Sequence, residues 1–427
     1  MALKHQFPQG FLWGTATAAH QVEGNNVNSD FWVLEHIPGT IVSEPSGDAC
    51  DHYHRYREDI KLLAELGFKA YRFSIEWARV EPEKDMFSPA VIAHYRDVLN
   101  ACHEAGLTPM VTLHHFTSPR WLMKLGGWTG AETPERFAKY TAYVIEQLGD
   151  LIPYICTLNE VNLPDLLAFI MGTREPASEH APVGVQDANP ASSSWLQQAA
   201  LAFGLDANVD IHPFPYTYVN NGSFFETAMK AHQLARAEIK RLKPNIKVGF
   251  SLALHEIQTA AGGEAQAASM WETLFKQYLP ILKDDDYFAL QNYTREVVGP
   301  NGPLPVPETS ERTQMGYEYY PEALGGVVRQ VAADLHIPIV ITENGIGTGD
   351  DTRRVEFIER ALKGLHACIQ DGIRVDGYFY WSAFDNYEWI MGFSKTFGLI
   401  AVDLKTQQRT VKPSAHYLGK IVKANGF

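Results

Sequence analysis

Long apolar runs are missing from this chain: none reaches the roughly 18 residues that a membrane-spanning helix requires, so a membrane partner is not expected. Cysteine is scarce too. Cys50, Cys102, Cys156 and Cys368 are scattered through 427 residues without a Cys-x-x-Cys pair, which argues against a zinc site or a disulfide framework and for reduced core residues. Positive charge is in deficit: 36 Lys and Arg stand against 50 Asp and Glu, a formal net charge of −14. Nucleic acid is bound by clustered cations, so it is not an expected partner either. The opening MALKHQFPQGFLWGT has no long apolar stretch of the secretory kind, which makes the cytoplasm the expected location. Linkers rich in Pro, Gly or Ser are also lacking, as are low-complexity tracts and exact repeats, so residues 1–427 read as one domain.

What is present is a large apolar supply, 45% hydrophobic and 12% aromatic residues, enough for a substantial core. Strand-like runs recur at 11–20, 69–77, 108–115, 154–160, 247–254, 287–293, 337–345 and 375–385. Most gaps between them hold apolar residues three and four apart, as in SPAVIAHYRDVLNACHEAGL, ERFAKYTAYVIEQLGDL, AMKAHQLARAEIKRLKP and RVEFIERALKGLHACIQDG. Eight strands alternating with helices in a chain of this length indicate an α/β fold, a closed (β/α)8 TIM barrel rather than an open sheet. Residues 172–226, rich in Pro, Ser, Asn and aromatics, exceed an ordinary βα loop and read as an elaborated rim.

The C-terminal ends of barrel strands carry active sites. Here those ends bear Gln21, Glu76, His115, Asn159, Glu160, Tyr293, Glu343, Asp385 and Glu388. Glu160 closes the fourth run and Glu343 the seventh. Two carboxylates on one face suit glycosidic cleavage, in which a protonated acid serves the leaving oxygen while an ionised partner attacks the anomeric carbon or activates water. Arg72, within YRFSIEW, and Tyr293 are available to keep Glu343 charged, whereas Glu160 has only Asn159 beside it. That asymmetry makes Glu343 the expected nucleophile and Glu160 the expected acid/base. Trp13, Trp32, Trp121, Trp128, Trp381 and Trp389 fit stacking on sugar rings, although a tryptophan in a barrel more often packs the core.

In order along the chain, FLWGTATAAHQVEG, DHYHRYREDIKLLAELGFKAYRFSIEWARVEP, TLHHFTSPRWL, TLNE, NYTR, ITENG, YFYWSAFDNYEW and FGLIAVD resemble glycoside hydrolase family 1, the β-glucosidase family, over nearly the whole length. The resemblance implies a retaining double displacement without cofactor or metal, with Glu160 as acid/base and Glu343 as nucleophile. It further implies that Arg72 and Tyr293 orient the nucleophile and that Gln21, His115, Asn159 and Glu388 hydrogen-bond the sugar, with Trp381 beneath it and Trp389 beside it. A small-molecule or oligosaccharide β-glucoside is the partner it suggests. Members that take 6-phosphosugars typically carry serine where Glu388 stands, so YEWIMGFSKTFGL points to an unphosphorylated sugar. Three positions depart from the family pattern: Val161 replaces proline after Asn-Glu, Phe116 stands where tryptophan is common, and Gln291 where an asparagine usually precedes the tyrosine pair.

Other motifs are weaker. His114-His115 and DHYHRY lack the spacing of a metal site. ENGIGTG lacks the GK[ST] of a phosphate loop, and KDDD lacks the calcium-loop pattern.

Overall fold

The computed structural model describes residues 4–172 and 193–427. Its central sheet is wholly parallel and comprises β1 (Leu12–Ala16), β2 (Ala70–Ser74), β3 (Thr108–His114), β4 (Tyr154–Leu158), β5 (Lys247–Gly249 and Ser251–Ala253), β6 (Phe288–Gln291), β7 (Ile339–Asn344) and β8 (Val375–Trp381). Strand β5 is interrupted at Phe250. Its first half pairs with β4 and its second with β6, and since β1 pairs with both β2 and β8, the sheet closes on itself. The eight expected strand runs thus each contain one barrel strand.

A helix follows each strand: α1 (His52–Leu66), α2 (Pro89–Glu104), α3 (Thr133–Leu148), α4 (Phe224–Leu242), α5 (Glu264–Leu274), α6 (Ala323–Asp334), α7 (Asp351–Gln370) and α8 (Pro413–Ala424). Their starts follow ordinary capping chemistry. Ser88 accepts from Val91 N with Pro89 at the first helical position, Ser223 accepts from Glu226 N, and Asp350 accepts from Thr352 N. These caps explain why α4 and α7 begin a few residues before their apolar periodicity does. None of the helices among the described residues is long and apolar enough to cross a membrane.

Strand alternation sorts the core into two layers. Tyr71, Phe73, Val111, Ile155, Leu290, Ile341 and Tyr378 join the large cluster between sheet and helices. Ala16, Ala70, Met110, Cys156, Ala289, Val340 and Phe379 form a second cluster that fills the barrel interior. The small side chains in that inner layer leave room above it for large polar groups. All four cysteines are buried and unpaired. Of the expected rim, residues 173–192 lie outside the described residues; the remainder holds helices Leu163–Gly172 and Ser193–Ala202 and a small hairpin pairing Ile211 and His212 with Val219 and Tyr218.

Candidate active site

Arg72 projects from β2 on the same face as Ala70, and its guanidinium is completely buried. A buried charge requires a partner and saturated hydrogen bonds. Nη1 donates to Glu343 Oε1 at 2.5 Å and Nη2 to Asn159 Oδ1 at 2.6 Å. Tyr293 Oη donates to Glu343 Oε2 at 2.5 Å. Arg72, Asn159, Tyr293 and Glu343, brought from β2 and from the ends of β4, β6 and β7, thus form one bonded cluster.

Glu343 reaches that cluster through a bulge. Plain alternation along β7 would put it on the outer face with Ile339 and Ile341. Against β6, Leu290 pairs with Ile341 but Gln291 pairs with Glu343; against β8, Ile341 to Asn344 spans only Tyr378 to Tyr380. Both neighbours register one extra residue on β7, and that insertion turns Glu343 inward. Asn344 then points outward, accepting from Tyr378 Oη at 3.0 Å and donating to Asn292 O at 2.7 Å.

Glu160 turns in at a left-handed residue, φ 47°, just after β4. Non-glycine residues seldom adopt that conformation unless neighbours fix it. Ser251 on β5 does so from both sides: its Oγ accepts from Glu160 N at 2.9 Å and its carbonyl from Val161 N at 3.3 Å. The second bond uses an amide that a proline at position 161 would lack, so the departure at Val161 exchanges ring rigidity for a tie to β5. No described side chain hydrogen-bonds the Glu160 carboxyl.

Both carboxyls are lifted, but their surroundings differ. Burial raises Glu160 well above the usual carboxylate range, and the charges of Glu343 and Glu388 add to it. Burial also raises Glu343, where the Arg72 charge and the Tyr293 hydroxyl pull it back. Arg72 and Tyr293 thus favour the ionised form at Glu343, and burial favours the neutral form at Glu160.

The other expected residues surround this pair. His115 Nε2 lies 3.3 Å from Asn159 Nδ2. Because Asn159 Oδ1 is committed to Arg72, the amide nitrogen must donate, which makes His115 Nε2 the acceptor and leaves the ring proton on Nδ1. Burial holds this imidazole neutral by lowering its pKa well below the ordinary value. The His115 ring lies near-parallel to Trp381 and Trp389, at 13° and 10°. Gln21 Nε2 donates to Tyr387 O at 2.8 Å and Asn386 Oδ1 at 3.1 Å. What remains unpaired is informative: Gln21 Oε1, His115 Nδ1 and Glu388 Oε2 are buried atoms without a partner among the described residues. An acceptor, a donor and a carboxylate oxygen left bare in this way fit a ligand dense in hydroxyls.

Burial and the Glu343 charge push Glu388 up to about 8. A carboxyl raised from its ordinary value of 4.5 favours the folded state at low pH, and that contribution is lost as pH climbs towards 8. Glu388→Gln removes the liability, so its melting temperature should exceed that of the unsubstituted protein at pH 8 by more than at pH 5. Equal differences at both pH values in paired thermal scans would refute the assignment.

Several polar residues at strand ends lie elsewhere. Glu76 caps a short helix and accepts from Thr117 Oγ1 at 2.7 Å, while Asp385 pairs with Lys412 at 2.7 Å. His114 bonds Ser118 at 2.9 Å within a buried aromatic cluster, and His52 pairs with Asp59 at 2.8 Å. Trp13, Trp121 and Trp128 pack against other core aromatics, and Trp32 against His36, while Trp381 and Trp389 lie beside the His115 ring. Phe116, at φ 69°, packs against Phe214, Tyr216 and Trp389 in the wall beside His115.

Two residues outside the expected set belong to the cluster. Gln291 Nε2 donates to Glu343 Oε1 at 2.9 Å and to Asn159 Oδ1 at 2.8 Å, and Ser251 Oγ reaches Asn159 Oδ1 at 3.2 Å. Gln291 was legible in principle, since the period of two places Ala289, Gln291 and Tyr293 on one face. Ser251 had no such signal, because its role depends on the turn at Glu160.

Comparison with known proteins gives a consistent result. The family model described as Glycosyl hydrolase family 1 matches residues 3–212 and 291–427. Beta-glucosidase A of Acetivibrio thermocellus is 32% identical, covering 99% of this chain and 100% of that protein, and beta-glucosidase A of Thermotoga maritima is 32% identical, covering 99% of each. The crystal structure of the β-glycosidase BGL167 superposes with a TM-score of 0.88 at 48% identity over 99% of this chain and 98% of that one. The Thermotoga maritima β-glucosidase in complex with a methoxycarbonyl-substituted glucoimidazole gives 0.81 at 28% identity over 99% and 100%.

Proposed function

Since the chain belongs to glycosyl hydrolase family 1, we propose that it is a retaining β-glucosidase, cleaving terminal non-reducing β-D-glucosyl residues from small or oligosaccharide β-glucosides. β-Galactosides and β-fucosides would be accepted less well, because one inverted or missing hydroxyl seldom excludes a sugar entirely. The observation that carries this reading is the asymmetric pair: two buried carboxyls, of which Glu343 alone is held by Arg72 and Tyr293.

In the first step Glu343 attacks the anomeric carbon while Glu160 passes its proton to the departing glycosidic oxygen, giving a covalent glycosyl ester and the free aglycone alcohol. In the second, ionised Glu160 takes a proton from water as that water attacks the same carbon, releasing glucose and restoring Glu343. Two inversions return the β configuration. Gln21, His115, Asn159 and Glu388 would hold the sugar hydroxyls, and Trp381 and Trp389 its faces. Asn159 keeps a second amide hydrogen for this besides the one directed at His115. Carboxylates supply all the chemistry in this scheme, without cofactor or metal, and the cytoplasm remains the proposed setting.

Proton NMR of a fresh reaction with an aryl β-D-glucoside should reveal β-glucose before mutarotation. α-Glucose appearing first would instead make Glu343 a base acting on water. An inert glucoside, with the galactoside and fucoside inert as well, would refute the proposal.

A further inference from the structure

We propose that Gln291 is a positioning residue that selects which oxygen of Glu343 attacks the anomeric carbon; the inference rests on the double-displacement reading above. A carboxylate oxygen accepts hydrogen bonds along two in-plane directions. Glu343 Oε1 receives two donors, Arg72 Nη1 at 2.5 Å and Gln291 Nε2 at 2.9 Å, enough to engage both directions. Among the described residues Oε2 receives only the Tyr293 hydroxyl, at 2.5 Å, which leaves one of its directions for a new bond. A new bond to carbon needs a free lone pair, which makes Oε2 the attacking oxygen. Without Gln291, Oε1 would also have an open direction, and the carboxylate could pivot about its bond to Arg72.

The Gln291 amide cannot turn over. Both of its neighbours, Glu343 Oε1 and Asn159 Oδ1, are acceptors, and its two hydrogens serve one each. A flipped amide would set oxygen against oxygen at both contacts. Gln291 Oε1 consequently has no partner among the described residues, although the residue is wholly buried. A bare acceptor is costly and is tolerated where the opposite end of the group is constrained. Register supplies the remaining constraint, since Gln291 and Glu343 are paired residues of adjacent strands. Through its second hydrogen Gln291 also joins Glu343 to Asn159, so nucleophile and sugar-binding amide move as one unit.

The test is Gln291→Met, which keeps roughly the same length and withdraws the donor. Rapid-mixing measurement with a dinitrophenyl β-glucoside should show glycosyl-enzyme formation slowed about 10²-fold, the scale for losing one preorganised donor at a reacting oxygen. The acidic limb of kcat/KM should move to higher pH, because Glu343 loses a hydrogen bond that favours its ionised form. Affinity for glucose, measured by calorimetry, should stay within about twofold, because ground-state contacts are left in place. An unchanged burst rate with an unmoved acidic limb overturns the proposal. So does a burst rate that falls only in step with glucose affinity and melting temperature, as general damage would give. Should the methionine variant fail to fold, Gln291→Leu also withdraws the donor without adding a charge, and the same readouts apply. Failure of the parent reading would look different: the unsubstituted protein would leave β-glucosides intact or release α-glucose.

Discussion

Glu343→Gln is expected to lower kcat on an aryl β-glucoside by about 10⁴-fold or more, the scale on which loss of a covalent nucleophile is felt. The amide retains the shape: its oxygen can still accept from Arg72 while its nitrogen donates to the Tyr293 hydroxyl oxygen, so the loss would report chemistry rather than collapse. It does leave the Arg72 guanidinium buried without an opposite charge, which costs about 3–5 kcal/mol when a buried pair is broken, so melting temperature has to be recorded alongside the rate. A smaller side chain gives the sharper result. In Glu343→Ala the space vacated by the carboxylate lies on the face of the sugar opposite the leaving group, and azide entering there should yield an α-glucosyl azide. A β-azide, or an alanine variant that hydrolyses at the normal rate, would place the nucleophile elsewhere.

The sequence disclosed some parts of this site and concealed others for physical reasons. Arg72, Gln291 and Tyr293 sit where simple alternation puts them, because β2 and β6 run regularly to their ends and the apolar residues between mark the outer face. Glu343 is the opposite case. The run Ile339–Asn344 places the glutamate on the outer face by alternation, and only the extra residue registered against both neighbours brings it inward. A bulge is a property of two ladders together, and β7 alone does not encode it. Its place at the C-terminal end of the strand, not periodicity, singled that residue out, and the motif resemblance agreed with it. Glu160 was similarly hidden, since its direction depends on a left-handed turn braced by Ser251 ninety-one residues away in sequence. The closed barrel, by contrast, was readable from the count of eight alternating units, because each strand and helix carries its own apolar period. Only the break at Phe250, which divides β5 between its two neighbours, left no trace in the pattern.

Glu160→Gln should produce a loss that depends on the leaving group, and this separates an acid/base from a nucleophile. A dinitrophenolate departs without a proton, so formation of the glycosyl-enzyme from a dinitrophenyl β-glucoside should be nearly unchanged. Its hydrolysis should slow, because water then attacks without a general base, and the intermediate should accumulate as an early burst followed by a slow steady state. An alkyl β-glucoside needs the proton, and on it the first step should fall by about 10²–10⁴-fold, the usual contribution of general acid catalysis. The pH profile provides an independent check. Burial, reinforced by the charges of Glu343 and Glu388, raises the carboxyl of Glu160 well above the usual range, so its ionisation defines the alkaline limb of kcat/KM. An amide does not titrate, so that limb should disappear in the variant while the acidic limb, set by Glu343, stays in place. Equal losses on alkyl and dinitrophenyl substrates, with the alkaline limb retained, would remove Glu160 from proton transfer and leave the donor to be sought among the other groups facing Glu343, with Glu388 the first to test because its own carboxyl is also raised.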